Sequence, residues 1–456
     1  MKRRYFSSKQ VIFEVFFHQI TLTSREKYVK IASHHLRGLL AAAIAVSAIA
    51  VPAISALPAS AATELTFWSW RTEDKAFYEG QIAKFEAKNP GITVKFTPYL
   101  NTEYNAIVST ALTAGKGPDI IQMRPYGGMA NLSDAGYFMP LTVKDLPALA
   151  KLSPGILAGA QGYKDKRQFG YPYAISAMGI FYNPDMLAKA GVKALPTNWA
   201  QLLTAFNKVK AAGMLPLGNA GGNGPALEQL HAAVGPTFYG GTQFFNDLVS
   251  GKKTFTDKAY VASLKAIKDL AAYMPAGFEG IDYNTARGLF ANEKAAFYIG
   301  GNYELGYFRS LNPSLDAGWI PPVAKVTGAP KYVSTWADGA FAINAKTAGK
   351  AEALKFANFL ASKEFGQALV DEIAFIPTAP YVKITDPVVK AINKGRSSLG
   401  TPFLNVVGFR FENPTSSVIL QPGFQKLITG AITPEALAKD VQTAVSSWYA
   451  AQKGKN

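Results

Sequence analysis

The sequence predicts an α/β protein built on a mostly parallel sheet, and three observations carry that reading. Strand-like and helix-like patterns alternate from residue 63 onward, the order that lays helices over the faces of a parallel sheet. Helix-stopping signals such as Asn89-Pro90-Gly91 and Gly213 punctuate the alternation. The chain holds no cysteine, so its stability must come from large apolar cores, and its length suggests about two domains.

The elements follow in order. In "TELTFWSWRTED" (63–74) a strand sets Leu65, Phe67 and Ser69 on one face and Thr66, Trp68 and Trp70 on the other. Those tryptophans either fill a core or form a platform for something flat. Phe77, Ile82 and Phe85 mark the next helix, and Ile92, Val94 and Phe96 alternate as a second strand. Tyr104, Ile107, Val108 and Leu112 share a helix face that ends near Gly115, before a short buried strand at 119–123. Ligands in such sheets sit beyond the carboxyl ends of the strands. Trp68 and Trp70 at the end of the first strand, and Arg124-Pro125-Tyr126 after the third, therefore fall on one rim.

A second alternation starts in "GYPYAISAMGIFYNPDML" (170–187), where Asn183 caps a helix, Pro184 takes its first position and Asp185 its positive end. "PTNWAQLLTAFNKVKAAG" continues it, and Trp199 on that helix face belongs to the core. "FANEKAAFYIGGNYELGYF" and "STWADGAFAINA" each bear a strand ending in Gly and aromatic residues, and "KAEALKFANFLASKEFGQ" is one helix.

Residues 1–62 precede this pattern. Leu39–Val51 is apolar, follows Lys27, Lys30 and Arg37, and leads to Ala59-Ser60-Ala61-Ala62. That is the layout of a secretory signal peptide, cleaved after Ala61 or Ala62; a membrane span would need ~20 apolar residues and this run meets Pro52 first. Residues 1–28 read as an extension, with the translation start expected near Val29. The segment carries eight Lys and Arg against two Asp and Glu, so its removal lowers the net charge from +16 to near +10. The remaining charge steers anions but forms no basic run, which excludes nucleic acid. The absence of cysteine excludes disulfides, thiolate zinc sites and a lipid-anchored N-terminus. After cleavage His231 is the one histidine, in a helical "LEQLHAAVG", so neither a His-based catalytic system nor a metal enzyme is expected. A pair of carboxylates for glycan cleavage stays open.

The stretches "FEAKNPGITV", "ALTAGKGPDIIQM", "LSDAGYFMPL", "GYPYAISAMGIFYNPDMLAKAGV", "LPTNWAQL", "ANEKAAFYIGGNY", "GAFAINAKTAGKAEALKFANFLASKE" and "IPT" occur in this order. Together they resemble the extracellular solute-binding proteins of ABC importers, in the maltose-binding-protein-like sugar-binding group. The resemblance implies a type II periplasmic binding protein fold: two α/β lobes joined by a hinge, closing on a ligand between them. It divides the chain into a first lobe of 63–174 plus about 297–333 and a second of about 175–296 plus 334–456. It implies a sugar or oligosaccharide ligand, delivery to a membrane permease, a periplasmic monomer and no cofactor.

By matched motif the resemblance points to Trp68, Trp70, Arg124, Tyr126, Ser176, Asn223, Asn302, Tyr303, Trp336 and Asp338 as ligand-binding residues. Met123 replaces a tryptophan of the maltose-type pattern, and Ser176 an acidic residue, which speaks against a maltodextrin. Pyranose C–H faces stack on aromatic rings while their hydroxyls need donors and acceptors, so this residue set suits a sugar on chemical grounds as well. Other readings stand beside it: Trp68 as core, Arg124 and Asp338 as an ion pair or solvated, Glu73 and Asp74 as first-turn helix residues, Asn223 as turn chemistry. The alternative ligand is an anion such as a uronate, a sulfated sugar or a phosphodiester.

Overall fold

The computed structural model describes residues 62–455. The expected signal peptide and extension lie outside the described residues, apart from Ala62. Ten strands occur among them: β1 (Thr63–Ser69), β2 (Ile92–Pro98), β3 (Ile120–Met123), β4 (Gly170–Tyr182), β5 (Leu215–Leu217), β6 (Ala295–Gly301), β7 (Gly318–Ile320), β8 (Val333–Ile343), β9 (Ile376–Pro377) and β10 (Gly400–Pro402). Hydrogen bonding links them in the order β2-β1-β3-β8-β4-β6-β5, with β10 on β8 and β7 and β9 on β4.

Parallel pairs join β1 to β2 and β3, β5 to β6, and β10 to β8. The helices Lys75–Lys88 and Tyr104–Thr113 make the crossovers among the first three strands, as parallel neighbours require. Leu65, Phe67 and Ser69 are buried, as the alternation predicted, while Trp68 is half-buried on the opposite face.

Two long strands, β4 and β8, enter antiparallel and tie the sheet together. β4 pairs with β8 over Gly170–Ala177 and with β6 over Met178–Tyr182. β8 pairs with β3 over Ala340–Ile343 and with β10 over Val333–Thr335. All of β4 but Tyr182 is buried, which explains its nearly unbroken apolar and small-residue sequence. The partner change falls at Ala177–Met178. Residues 297–301 lie between β4 and β5, and 340–343 lie beside β3.

Local chemistry sets the helix ends. Asn183 accepts from the Met186 amide, and Asn198 from that of Gln201, so "NPDML" and "NWAQL" each begin their own helix, Pro184–Lys189 and Trp199–Ala211. The single helix expected from 350 onward is two, Lys350–Leu360 and Lys363–Ile373. Ser362 starts the second by accepting from the Phe365 amide at 3.1 Å, the bond of an N-cap.

Candidate functional site

Loops and strand ends on one side of the sheet enclose a cleft of about 330 Å³, within the ~300–1,000 Å³ typical of small-molecule sites. Trp70 and Arg71 enter it just past β1, Asn101 and Asn105 after β2, and Arg124 and Pro125 after β3. These are the carboxyl ends of parallel strands. The opposing side brings Asn223 and Gln229 from the start of the helix Gly224–Tyr239, Tyr283, Tyr303, Phe403 and Arg410.

Six of the residues singled out in the sequence line this one cleft: Trp70, Arg124, Asn223, Tyr303, Trp336 and Asp338. Trp70 is 2% exposed, Tyr303 7% and Trp336 8%, so the rings present single faces or edges rather than whole side chains. Trp336 stands edge-on to Phe403 at 5.0 Å and to Tyr303 at 6.4 Å, and the Tyr303 hydroxyl donates to Gln229 at 2.7 Å. This makes a braced aromatic wall. Trp70 is held edge-on by Tyr104 at 5.5 Å, and Gly339 leaves room for its ring: a β-carbon there would lie 2.6 Å from the ring tip. Asn223 does both things weighed for it, capping its helix through the Ala226 amide at 2.9 Å while lining the cleft.

Asp338 is aimed by an irregularity in the sheet. The β4–β8 register shifts on either side of Ala174, and neither Tyr173 nor Asp338 has a paired partner across the ladder; such bulges redirect side chains. Asp338 accepts from the Ser176 hydroxyl at 2.6 Å and from that of Tyr173 at 3.3 Å. Tyr173 in turn accepts from the Gln122 amide at 2.6 Å. A buried polar row thus supports the carboxylate from beneath. Ser176 is 1% exposed and does not line the cleft; its hydroxyl reaches the site through Asp338.

Three more expected residues lie outside the lining. Trp68 packs against Tyr99 at 4.9 Å on the outer face of β1, because strand alternation turns it away from Phe67. Tyr126 is buried at φ 51°, where its hydroxyl accepts from the Ala337 amide at 3.3 Å. Asn302 accepts from the Ala177 amide at 2.8 Å and donates to the Ile175 carbonyl at 3.3 Å, so it braces β4 where that strand changes partners.

The charges divide by partner. Arg410 donates to Glu228 at 2.9 Å, and Glu228 also accepts from Gln421 at 2.8 Å. Arg71 meets Asp74 at 2.6 Å and Glu73 at 3.4 Å, and Glu73 continues to Arg287 at 3.5 Å. Burial pushes the Glu73 carboxyl up, but Arg71 and Arg287 outweigh it and hold the group below its usual range. The Arg124 guanidinium carbon lies over the Trp70 ring, 3.9 Å from its centroid. Its Nε donates to Asn105 at 2.9 Å and its Nη2 to the Asn101 carbonyl and side chain at 3.0 and 2.9 Å. Burial pulls its pKa down to about 10, against the opposing pull of Asp338, and it remains a cation at neutral pH.

The sequence reading missed Arg71, Asn101, Asn105, Gln229, Tyr283, Phe403 and Arg410. Asn101 and Asn105 carried a signal, four residues apart at the entry to a helix beyond the second strand. Arg410 and Phe403 carried none, since they sit in irregular chain brought in by tertiary packing.

His231 is buried away from the cleft. Its Nε2 lies 2.8 Å from the Ser263 hydroxyl, which donates onward to the Tyr260 carbonyl at 2.6 Å, so Nε2 carries the hydrogen. Burial lowers its pKa to about 3. Among the described residues no cluster of three or more His, Asp or Glu is arranged to hold a metal ion.

The family model for bacterial extracellular solute-binding protein matches residues 68–367. A multiple sugar-binding protein of Streptococcus mutans is 27% identical over 316 residues, covering 67% of this chain and 73% of that one. A protein from Caldanaerobius polysaccharolyticus, solved in work on xylan utilization, superposes with a TM-score of 0.74 at 22% identity, over 84% of this chain and 99% of that chain. An ABC transporter solute-binding protein of Thermotoga lettingae bound with α-D-tagatose gives 0.70 at 21% identity, over 86% and 100%. These likenesses carry the two-lobed type II fold, the parallel and antiparallel strands of one mixed sheet forming its frame. The chain belongs to the family of bacterial extracellular solute-binding proteins.

Proposed function

We propose that the protein captures a sugar or oligosaccharide in the cleft, closes its lobes around it and delivers it unchanged to an ABC-type membrane permease. It acts as a periplasmic monomer released by signal cleavage. The observation that carries this reading is the shared cleft of Trp70, Tyr303, Trp336 and Phe403 with Asp338, Arg124 and several amides. Aromatic faces answer the C–H surface of a pyranose, and the polar groups answer its hydroxyls. Each stacked ring adds ~1 kcal/mol beyond area burial, and a micromolar ligand needs about −8 kcal/mol in total. Several rings and satisfied hydrogen bonds reach that together, and the name of the Streptococcus relative agrees.

The strand pairings support a division of the lobes. The first takes 63–177 with about 338–380, the second 178–335 with about 387–455. Both β4 and β8 then cross the hinge, with Asn302 bracing the first crossing. The absence of cysteine argues for a soluble carrier inside an outer membrane rather than a lipid-anchored one.

A thermal-shift screen against neutral and acidic mono- to tetrasaccharides tests the reading, followed by incubation of any hit and analysis for products. Saturable stabilisation with the glycan recovered intact is expected. Cleavage of the hit would make the protein an enzyme, and no response to any saccharide would remove the sugar reading.

A further inference from the structure

Three arginines line the cleft, and two are spoken for. Arg71 is paired with Asp74 and Glu73, and Arg410 with Glu228. Arg124 is the exception: among the described residues no carboxylate stands within ion-pair distance of it, and its acceptors are one backbone carbonyl and two side-chain amides. Those contacts use the Nε and Nη2 hydrogens. Its two Nη1 hydrogens have no acceptor among the described residues.

The guanidinium is also fixed in place. It lies on the Trp70 ring at 3.9 Å, with Tyr104 at 5.9 Å, and Asn101 and Asn105 hold its edge. One face is therefore taken by the indole while Nη1 remains available. Asp338, the carboxylate that most favours its charge, is itself engaged by Ser176 and Tyr173. A stacked, part-dehydrated cation with free donors is a ready partner for a planar anion. The guanidinium thus covers one face of the Trp70 ring. A chain charge near +10 after signal removal adds attraction for anions at longer range.

We propose that Arg124 is a specificity-determining residue and that the saccharide this cleft takes carries a carboxylate, a uronic acid unit, seated on its Nη1 edge beside Trp70. The proposal rests on the reading of the protein as a saccharide receptor. The hydroxyls of the same unit or its neighbour are left to Asp338 and the amides, and the far rings to Trp336 and Phe403.

Calorimetric titration with matched pairs of di- and trisaccharides, each neutral sugar beside its uronic acid, tests it on the wild type, Arg124→Gln and Arg124→Lys. Circular dichroism melts establish that each variant folds. The acid member of at least one pair is expected to bind roughly 10- to 100-fold tighter than its neutral partner, the value of a charge-assisted hydrogen-bonded contact. Arg124→Gln should bring that ratio near one, and Arg124→Lys should keep part of it. Raising salt should weaken the acid member alone. Neutral members binding as tightly as acids, or a preference that survives Arg124→Gln, would overturn the proposal and leave the saccharide reading standing. Binding of no member of any pair would overturn both.

Discussion

Asp338 shows how much of the site depends on single atoms. Its place in the cleft comes from the bulge opposite Ala174, and its orientation from hydroxyl hydrogens of Ser176 and Tyr173. Asp338→Asn preserves the shape but offers those hydroxyls a weaker acceptor. Affinity for the saccharide should fall by roughly 10- to 100-fold, with the melting temperature nearly unchanged, by calorimetry on both proteins. His231 gives a different residue-scale prediction. Its folded pKa of about 3 lies below the ordinary 6.5, so the unfolded chain takes up the proton first. The neutral ring costs nothing above pH 6.5, and stability is lost as pH falls toward 3, by about 1.4 kcal/mol per unit in the steepest part. Urea melts between pH 6 and 5 should show that slope in the wild type and a flatter one in His231→Gln.

At the scale of elements the legible and illegible parts separate cleanly. Alternation and stop signals read from "TELTFWS", "ITVKFTP" and "IIQM" place the first three strands and their rim, because period-two burial is a local property. The rim is where Trp70 and Arg124 stand. What the pattern does not carry is the bulge, the cover of Trp70 by Arg124, or the inward turn of Tyr126 at positive φ. Those are settled by packing between segments far apart in the chain. The split of the expected 350–367 helix is a local feature: Ser362 has the chemistry of an N-cap in plain view. Ser362→Ala should cost ~1 kcal/mol in a denaturant melt, with no change in ligand affinity.

Across the whole molecule, the proposed closure would act on contacts between segments far apart in the chain. Tyr163 stacks on Phe411 at 4.7 Å and 15°. Gly127 passes so near the Arg410 backbone that a β-carbon would sit 2.1 Å from its carbonyl oxygen. Gly127→Ala should hold those segments apart, weaken binding by about tenfold or more through the lost closed state, and raise the radius of gyration of the ligand-saturated protein in solution scattering. The strand partners of β6 and of the end of β8 were not legible in the motif order, since strand pairing is a long-range choice. In the proposed function a saccharide occupies the cleft between Trp70 and Trp336. Native mass spectrometry of the protein saturated with its best-binding saccharide, compared with the Trp336→Ala and Asp338→Asn proteins, measures it directly. A one-to-one saccharide adduct on the wild type, lost or strongly diminished in both variants, is the predicted result; an adduct retained equally by all three would contradict it.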